Sequence, residues 1–300
     1  LNVAWETACS TVSLFAMKAT DVALLAFYVY SSAMNRIDQI FKDLRARKGK
    51  AVMPFLTAGD PDISATSQML LACEESGAAI CELGIPFSDP IADGPVIQAS
   101  MTHALDHGLR PGQVLEMVAS VREKLSIGLV AMVSYSIVYR MGNSSFIRDA
   151  KAAGIDGFII PDLPVEESEH VRDIIAKEDL ICSLLVAPTT SDKRAEAIAK
   201  ACSGFVYVLS RAGITGEQRA LPAELGDRLK RLRNVTDLPM AVGFGISTGQ
   251  QVSQVVEMAD AAIVGSAIMR RVANVRKQGR DAAIREVRDC VKELVTGLPS

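Results

Sequence analysis

From residue 51 to residue 266 the chain repeats one pattern eight times, a short apolar run followed by a polar stretch with helical spacing. The runs are AVMPFLTAG (51–59), AAICELGIP (78–86), GLVAMVSY (128–135), GFIIPDLP (157–164), CSLLVAP (182–188), FVYVLS (205–210), PMAVGFG (239–245) and AAIVGS (261–266). Each has the length and near-continuous hydrophobicity of a strand covered on both faces, as parallel sheets require. The intervening stretches carry helix signals. SATSQMLLACEESGA offers Ser64 as N-cap and stops at Gly77, and the stretches starting at Pro164, Thr190 and Thr248 repeat the pattern. Eight such alternations predict the α/β class and a single (β/α)8 TIM barrel, with an open doubly wound sheet as the alternative.

A further helix precedes the first run. In MNRIDQIFKDLRARKGK (34–50), Ile37, Ile40, Phe41 and Leu44 share one face, and the basic RARKGK suits a solvated C-terminal turn. Residues 34–300 thus read as the barrel domain and residues 1–33 as a dispensable extension. Within that extension DVALLAFYVYSSA has the length of a signal-peptide core and is too short to span a bilayer.

The composition narrows the functional class. With 49% hydrophobic residues the chain can fill a large core, and a net charge of −3 argues against a nucleic-acid surface. No two of the six cysteines stand at C-x-x-C spacing, so no zinc or redox motif is suggested, and a reducing cytoplasm is the expected setting.

Barrel chemistry sits at the C-terminal ends of the strands. That rule selects Phe55, Thr57 and Asp60 from the first strand and its end, Glu82 and the following Asp89–Asp93 loop from the second, Asp162 from the fourth and Tyr207 from the sixth. No run contains lysine, so a Schiff-base mechanism has no candidate nucleophile, and the three histidines lie on predicted helices, leaving a metal at the mouth without an imidazole. His103 and His107 are expected on an exposed helix face. Glycine-rich segments RAGITG (211–216), GFG (243–245) and GS (265–266) follow the last three runs, where exposed N–H groups and a helix start would cradle phosphate. Taken singly, each is also ordinary turn chemistry. Together they point to a small phosphate ester as substrate. A glutamate in an apolar mouth should have a raised pKa and serve as acid and base; the bland alternative is a carboxylate satisfied by backbone. Asp93 has an equally bland alternative, capping the helix that starts near Pro95.

Taken in order, PFLTAGDP, ELGIPFSDPIADGP, PDLPVEES, LSRAGITG, GFGIS and VGSAI resemble the tryptophan synthase α-subunit family from about residue 34 to the C-terminus. The resemblance implies retro-aldol cleavage of indole-3-glycerol phosphate to indole and glyceraldehyde 3-phosphate, with no metal. It implies Glu82 and Asp93 as catalytic carboxylates and Tyr207 in support. Phe55 and Ile159 would wall the indole, Gly216, Gly245, Gly265 and Ser266 would hold phosphate beside Phe244, and Arg211 and Thr215 would belong to a closing loop. No cofactor is implied in this chain. Pyridoxal phosphate would belong to a β subunit in an αββα heterotetramer, with no nucleic-acid or membrane partner. Free-standing indole-glycerol-phosphate lyase and non-catalytic activator of the β subunit are the competing readings. One segment departs from the family pattern: Ser134 and Ser136 stand where many members carry tyrosine and asparagine.

Overall fold

In a computed structural model, the structure describes residues 34–90, 93–210, 224–243 and 245–299. The extension expected over 1–33 lies outside the described residues, as do Arg211, Thr215, Gly216 and Phe244. Helix α1 (Arg36–Ala46) begins at Asn35, whose side chain accepts the Ile37 N–H, and it buries Ile37, Phe41 and Leu44. The strands and helices then alternate: β1 (Ala51–Thr57), α2 (Ile63–Glu75), β2 (Ile80–Gly84), α3 (Pro95–Asp106), α4 (Pro111–Val121), β3 (Gly128–Met132), α5 (Tyr135–Met141) and α6 (Asn143–Ala153). The second half continues with β4 (Gly157–Ile159), α7 (Glu169–Lys177), β5 (Ile181–Ser183), β6 (Leu185–Val186), α8 (Asp192–Ala201) and β7 (Val206–Leu209). It ends with α9 (Glu224–Arg233), β8 (Met240–Gly243), α10 (Gly249–Val256), β9 (Ala261–Val264), α11 (Ser266–Val275) and α12 (Arg280–Val295).

The strands form one parallel sheet in the order β5-β4-β3-β2-β1-β9-β8-β7-β6. It is the predicted barrel with one correction: the fifth run forms two short strands instead of one. β5 pairs with β4 and β6 with β7, and Leu184 joins them, so the chain itself closes the ring. At Leu184 the ladder changes partners: its N–H meets the Cys202 sulfur at 3.2 Å, while its carbonyl already accepts the Tyr207 N–H of β7 at 3.3 Å. The strands are otherwise shorter than the apolar runs. The fourth stops at Ile159 because Pro161 and Pro164 offer no N–H to a ladder. The N-cap of α2 is Asp62, not Ser64; its carboxylate accepts the Ala65 N–H at 2.8 Å. Two connections carry an extra helix, α4 before β3 and α6 before β4.

The N-terminal end of the barrel is tied by Asp156, which precedes β4. Its carboxylate accepts the Leu129 N–H at 2.8 Å and the Arg36 Nε–H at 3.3 Å, with Arg122 3.6 Å away. Asn35 adds bonds to the Asp156 and Asp179 carbonyls, both 2.8 Å, fastening α1 to this end. No helix among the described residues is long and apolar enough to cross a membrane.

Candidate active site

Glu82 is the third residue of β2, between Cys81 and Leu83, in register with Phe55 of β1 and Val130 of β3. It has no exposed surface, and neither carboxylate oxygen has a hydrogen-bond partner among the described residues. The backbone-satisfied alternative is therefore overturned. A buried, unpaired carboxylate resists ionisation. Burial, and secondarily the charge of Asp93, push its pKa from 4.5 up to about 8.

Asp93 stands one residue before Gly94, the N-cap of α3, which has no side-chain cap. The helix-cap alternative for Asp93 falls as well. Its N–H donates to the Pro90 carbonyl at 3.1 Å and its own carbonyl accepts the Gln98 amide at 2.8 Å, so its backbone is held from both sides. Burial lifts its pKa to about 6. Tyr207, on β7, is buried too; burial, then the charges of Glu82 and Asp93, hold its phenol well above the usual tyrosine range, so it remains a donor.

These three residues line one open cavity at the C-terminal end of the barrel. Phe55 lines it from β1. Gly84 makes room for that ring: a Cβ there would lie 2.5 Å from the Phe55 Cζ. Gly243 does the same for Tyr207, whose hydroxyl oxygen would be 2.5 Å from a Cβ. The lining also includes Gly245, Gly265 and Ser266, the last being the first residue of α11. Gly245 adopts φ +82°, a left-handed backbone that favours glycine. Free N–H groups at a helix start and a small-residue turn suit a phosphate.

Of the residues selected from sequence, Glu82, Asp93, Tyr207, Phe55, Gly245, Gly265 and Ser266 therefore meet in one cavity. Ile159 does not line it; fully buried at the end of β4, it lies in register with Met132 of β3, which does. Sequence reasoning missed the apolar walls Ile97, Met132, Ile246 and Ile263. Met132 and Ile263 were findable as residues near strand ends; Ile97, inside a helix, left no such signal. Asp162 serves the loops: it accepts from the Ser134 hydroxyl at 2.7 Å and the Tyr135 N–H at 2.8 Å, fixing the start of α5. Ser134 caps that helix by accepting the Ser136 N–H at 3.2 Å, a local role for both serines. No group of three or more His, Cys, Asp or Glu side chains among the described residues is placed to hold a metal.

Comparison with known proteins agrees with this architecture. The family model described as Tryptophan synthase alpha chain matches residues 41–296. The chain is similar to the tryptophan synthase alpha chain of Caldanaerobacter subterraneus subsp. tengcongensis, 42% identical over 261 residues, covering 87% of this chain and 98% of that protein. The alpha chain of Rhodopirellula baltica is 43% identical over 263 residues, covering 87% and 95%. Among solved structures, the tryptophan synthase alpha subunit of Legionella pneumophila superposes with a TM-score of 0.81 at 34% identity, covering 88% of this chain and 98% of that one. An aminoacrylate-bound tryptophan synthase from M. tuberculosis gives 0.78 at 31%, covering 89% and 100%. With the family model matching residues 41–296 of its 300, and the barrel and cavity in place, the chain belongs to the tryptophan synthase alpha chain family.

Proposed function

We propose that this lyase cleaves indole-3-glycerol phosphate into indole and glyceraldehyde 3-phosphate. The observation that carries the reading is Glu82, a fully buried carboxyl with no hydrogen-bond partner among the described residues, at the wall of a cavity that also holds Asp93. An indole carbon is a poor leaving group until C3 is protonated, and a carboxyl with a pKa of about 8 carries that proton at neutral pH. Asp93 accepts the indole N–H and offsets the positive charge that grows on the ring. Once Glu82 has given up its proton, it can take another from the glycerol hydroxyl as the C–C bond breaks. Tyr207, held protonated, donates a hydrogen bond within the same pocket. The phosphate end sits against Gly245, Gly265 and Ser266.

The indole passes to a β subunit that carries pyridoxal phosphate and makes tryptophan. The test is indole release by the purified chain with and without such a subunit. Slow turnover alone and strong acceleration by the partner are expected. Fast turnover alone would identify a free-standing lyase, and no turnover with the β subunit still activated would leave only a regulatory role.

The pH profile follows from the same two groups. Asp93 works ionised and Glu82 works protonated, so kcat/KM rises through about 6 and falls through about 8. Because the carboxyls interact, these values belong to the pair. A profile still rising at pH 9 would show that no group titrating near pH 8 must be protonated, and would rule out Glu82 as the acid.

A further inference from the structure

Of the two histidines expected on an exposed helix face, His107 is exposed, but His103 lies beside a buried carboxylate. His103 is about one-fifth exposed, and its Nδ1 lies 3.5 Å from Asp60 Oδ1 without making a hydrogen bond. His107 stacks on it with ring centroids 4.3 Å apart. Asp60 follows β1 and has no exposed surface. Its partner is Arg276, in the turn directly after α11, which grips both oxygens: Nε to Oδ1 at 2.8 Å and Nη2 to Oδ2 at 2.7 Å. Burial and the nearby Arg276 charge lower the His103 pKa, so His103 packs as a neutral ring and the guanidinium alone balances Asp60.

The elements joined here bear on the active cavity. α11 starts at Ser266, in the phosphate-side lining; α3 starts just after Asp93. Both helices pack on the end of β1. Thr57 Oγ1 is 2.6 Å from Ser100 Oγ of α3, and the Thr57 N–H meets the Met269 sulfur of α11 at 3.5 Å. The forked pair ties the C-terminal end of α11 to the same strand, while His103 brings α3 against it.

We propose that Asp60 and Arg276 are positioning residues that set the span between the phosphate cradle and Asp93. The inference rests on the reading that the substrate bridges those two poles. The leverage is large. Ten residues of helix at 1.5 Å each put the fork about 15 Å from Ser266, so a tilt of about 4° there moves the cradle by about 1 Å. Misplacement on that scale costs on the order of a hundredfold in rate. A bidentate Arg–carboxylate pair fixes direction as well as distance, which an ammonium cannot.

The test separates one pole from the span. Arg276→Gln, Arg276→Lys and Asp60→Asn would be compared with the parent in three titrations: turnover of indole-3-glycerol phosphate, binding of an uncleavable indole joined to phosphate by a saturated three-carbon chain, and binding of inorganic phosphate alone. R276Q is expected to lower kcat/KM 10- to 100-fold and to weaken the spanning ligand about tenfold, with inorganic phosphate within twofold of the parent. R276K, which keeps the charge and loses the fork, should fall between and keeps the test open if R276Q does not fold. Equal weakening of phosphate and spanning ligand would overturn the proposal, as would a lower melting temperature with all three titrations unchanged. A parent that binds both ligands yet never cleaves the substrate would sink the functional reading instead, because the binding titrations do not need turnover.

Discussion

Glu82→Gln should abolish indole release, by about a thousandfold or more, and make the protein more stable at neutral pH. The amide keeps the shape and has no proton to give. The stability gain follows from linkage. Glu82 goes from a pKa of 4.5 to about 8 on folding, so between those values the folded chain holds a proton that the unfolded chain has released. The stability contribution of the protonated form is complete below pH 4.5 and is lost as pH rises through 8, at 1.36 kcal/mol per unit. At pH 7 the native glutamate thus costs about 3 kcal/mol that glutamine does not, and above pH 8 about 5 kcal/mol. Urea unfolding of parent and variant at several pH values checks this. The two curves should converge near pH 4.5, separate between there and about pH 8 and run parallel above it; a constant offset throughout would show that burial of the ionised acid is not the cause.

Asp156→Ala should act at the other end of the barrel and in the other sense. Its carboxylate is itself raised in pKa by burial, against the pull of Arg122 and Arg36, so the charge is not favourable in isolation. The loss comes from what removal leaves: the Leu129 N–H without its acceptor, and the largely buried Arg122 guanidinium with three carbonyl acceptors but without its carboxylate. Breaking one side of such a pair costs about 3 kcal/mol, or roughly 10 °C in melting temperature for a domain of this size. Adding Arg122→Met should recover much of that loss, because the unpaired charge goes with it. Turnover should change less than twofold, since the cavity lies at the opposite end of the strands. A variant as stable as the parent would mean that water satisfies the stranded groups.

The contrast between these residues also says what the sequence could reveal. Barrel strands are covered on both faces, so their apolar runs stand out, and strand-end position led directly to Glu82, Asp93, Tyr207 and Phe55. Run length overshot strand length wherever proline or a side-chain bond ended the ladder, as at Pro161 and Leu184. His103 was misplaced for a different reason. One face of α3 meets β1 and α11, and a polar residue on a buried helix face is indistinguishable in sequence from one in solvent until its partner is known. Arg276 lies 216 residues beyond Asp60, and no local pattern links the two. The walls Ile97 and Ile246 are similarly silent: an isoleucine in a helix or loop declares burial but not which cavity it faces.

The jog at Leu184 has a consequence for how such a ring comes apart. Thr57 of β1 also directs its amide to a sulfur, but at Leu184 that poorer acceptor coincides with the junction of two short strands. Backbone deuterium uptake should therefore start at this seam and spread outward along β5 and β6, leaving a curled ribbon with free margins. Tyr207, on β7, sits beside one margin, but the two carboxylates and the phosphate cradle are remote from both. Glu82 and the phosphate cradle are borne by β2 and by the strands β9 and β8, consecutive through β1 in the middle of the ribbon. The molecule can breathe at its closure while the ladder beneath the substrate stays laced.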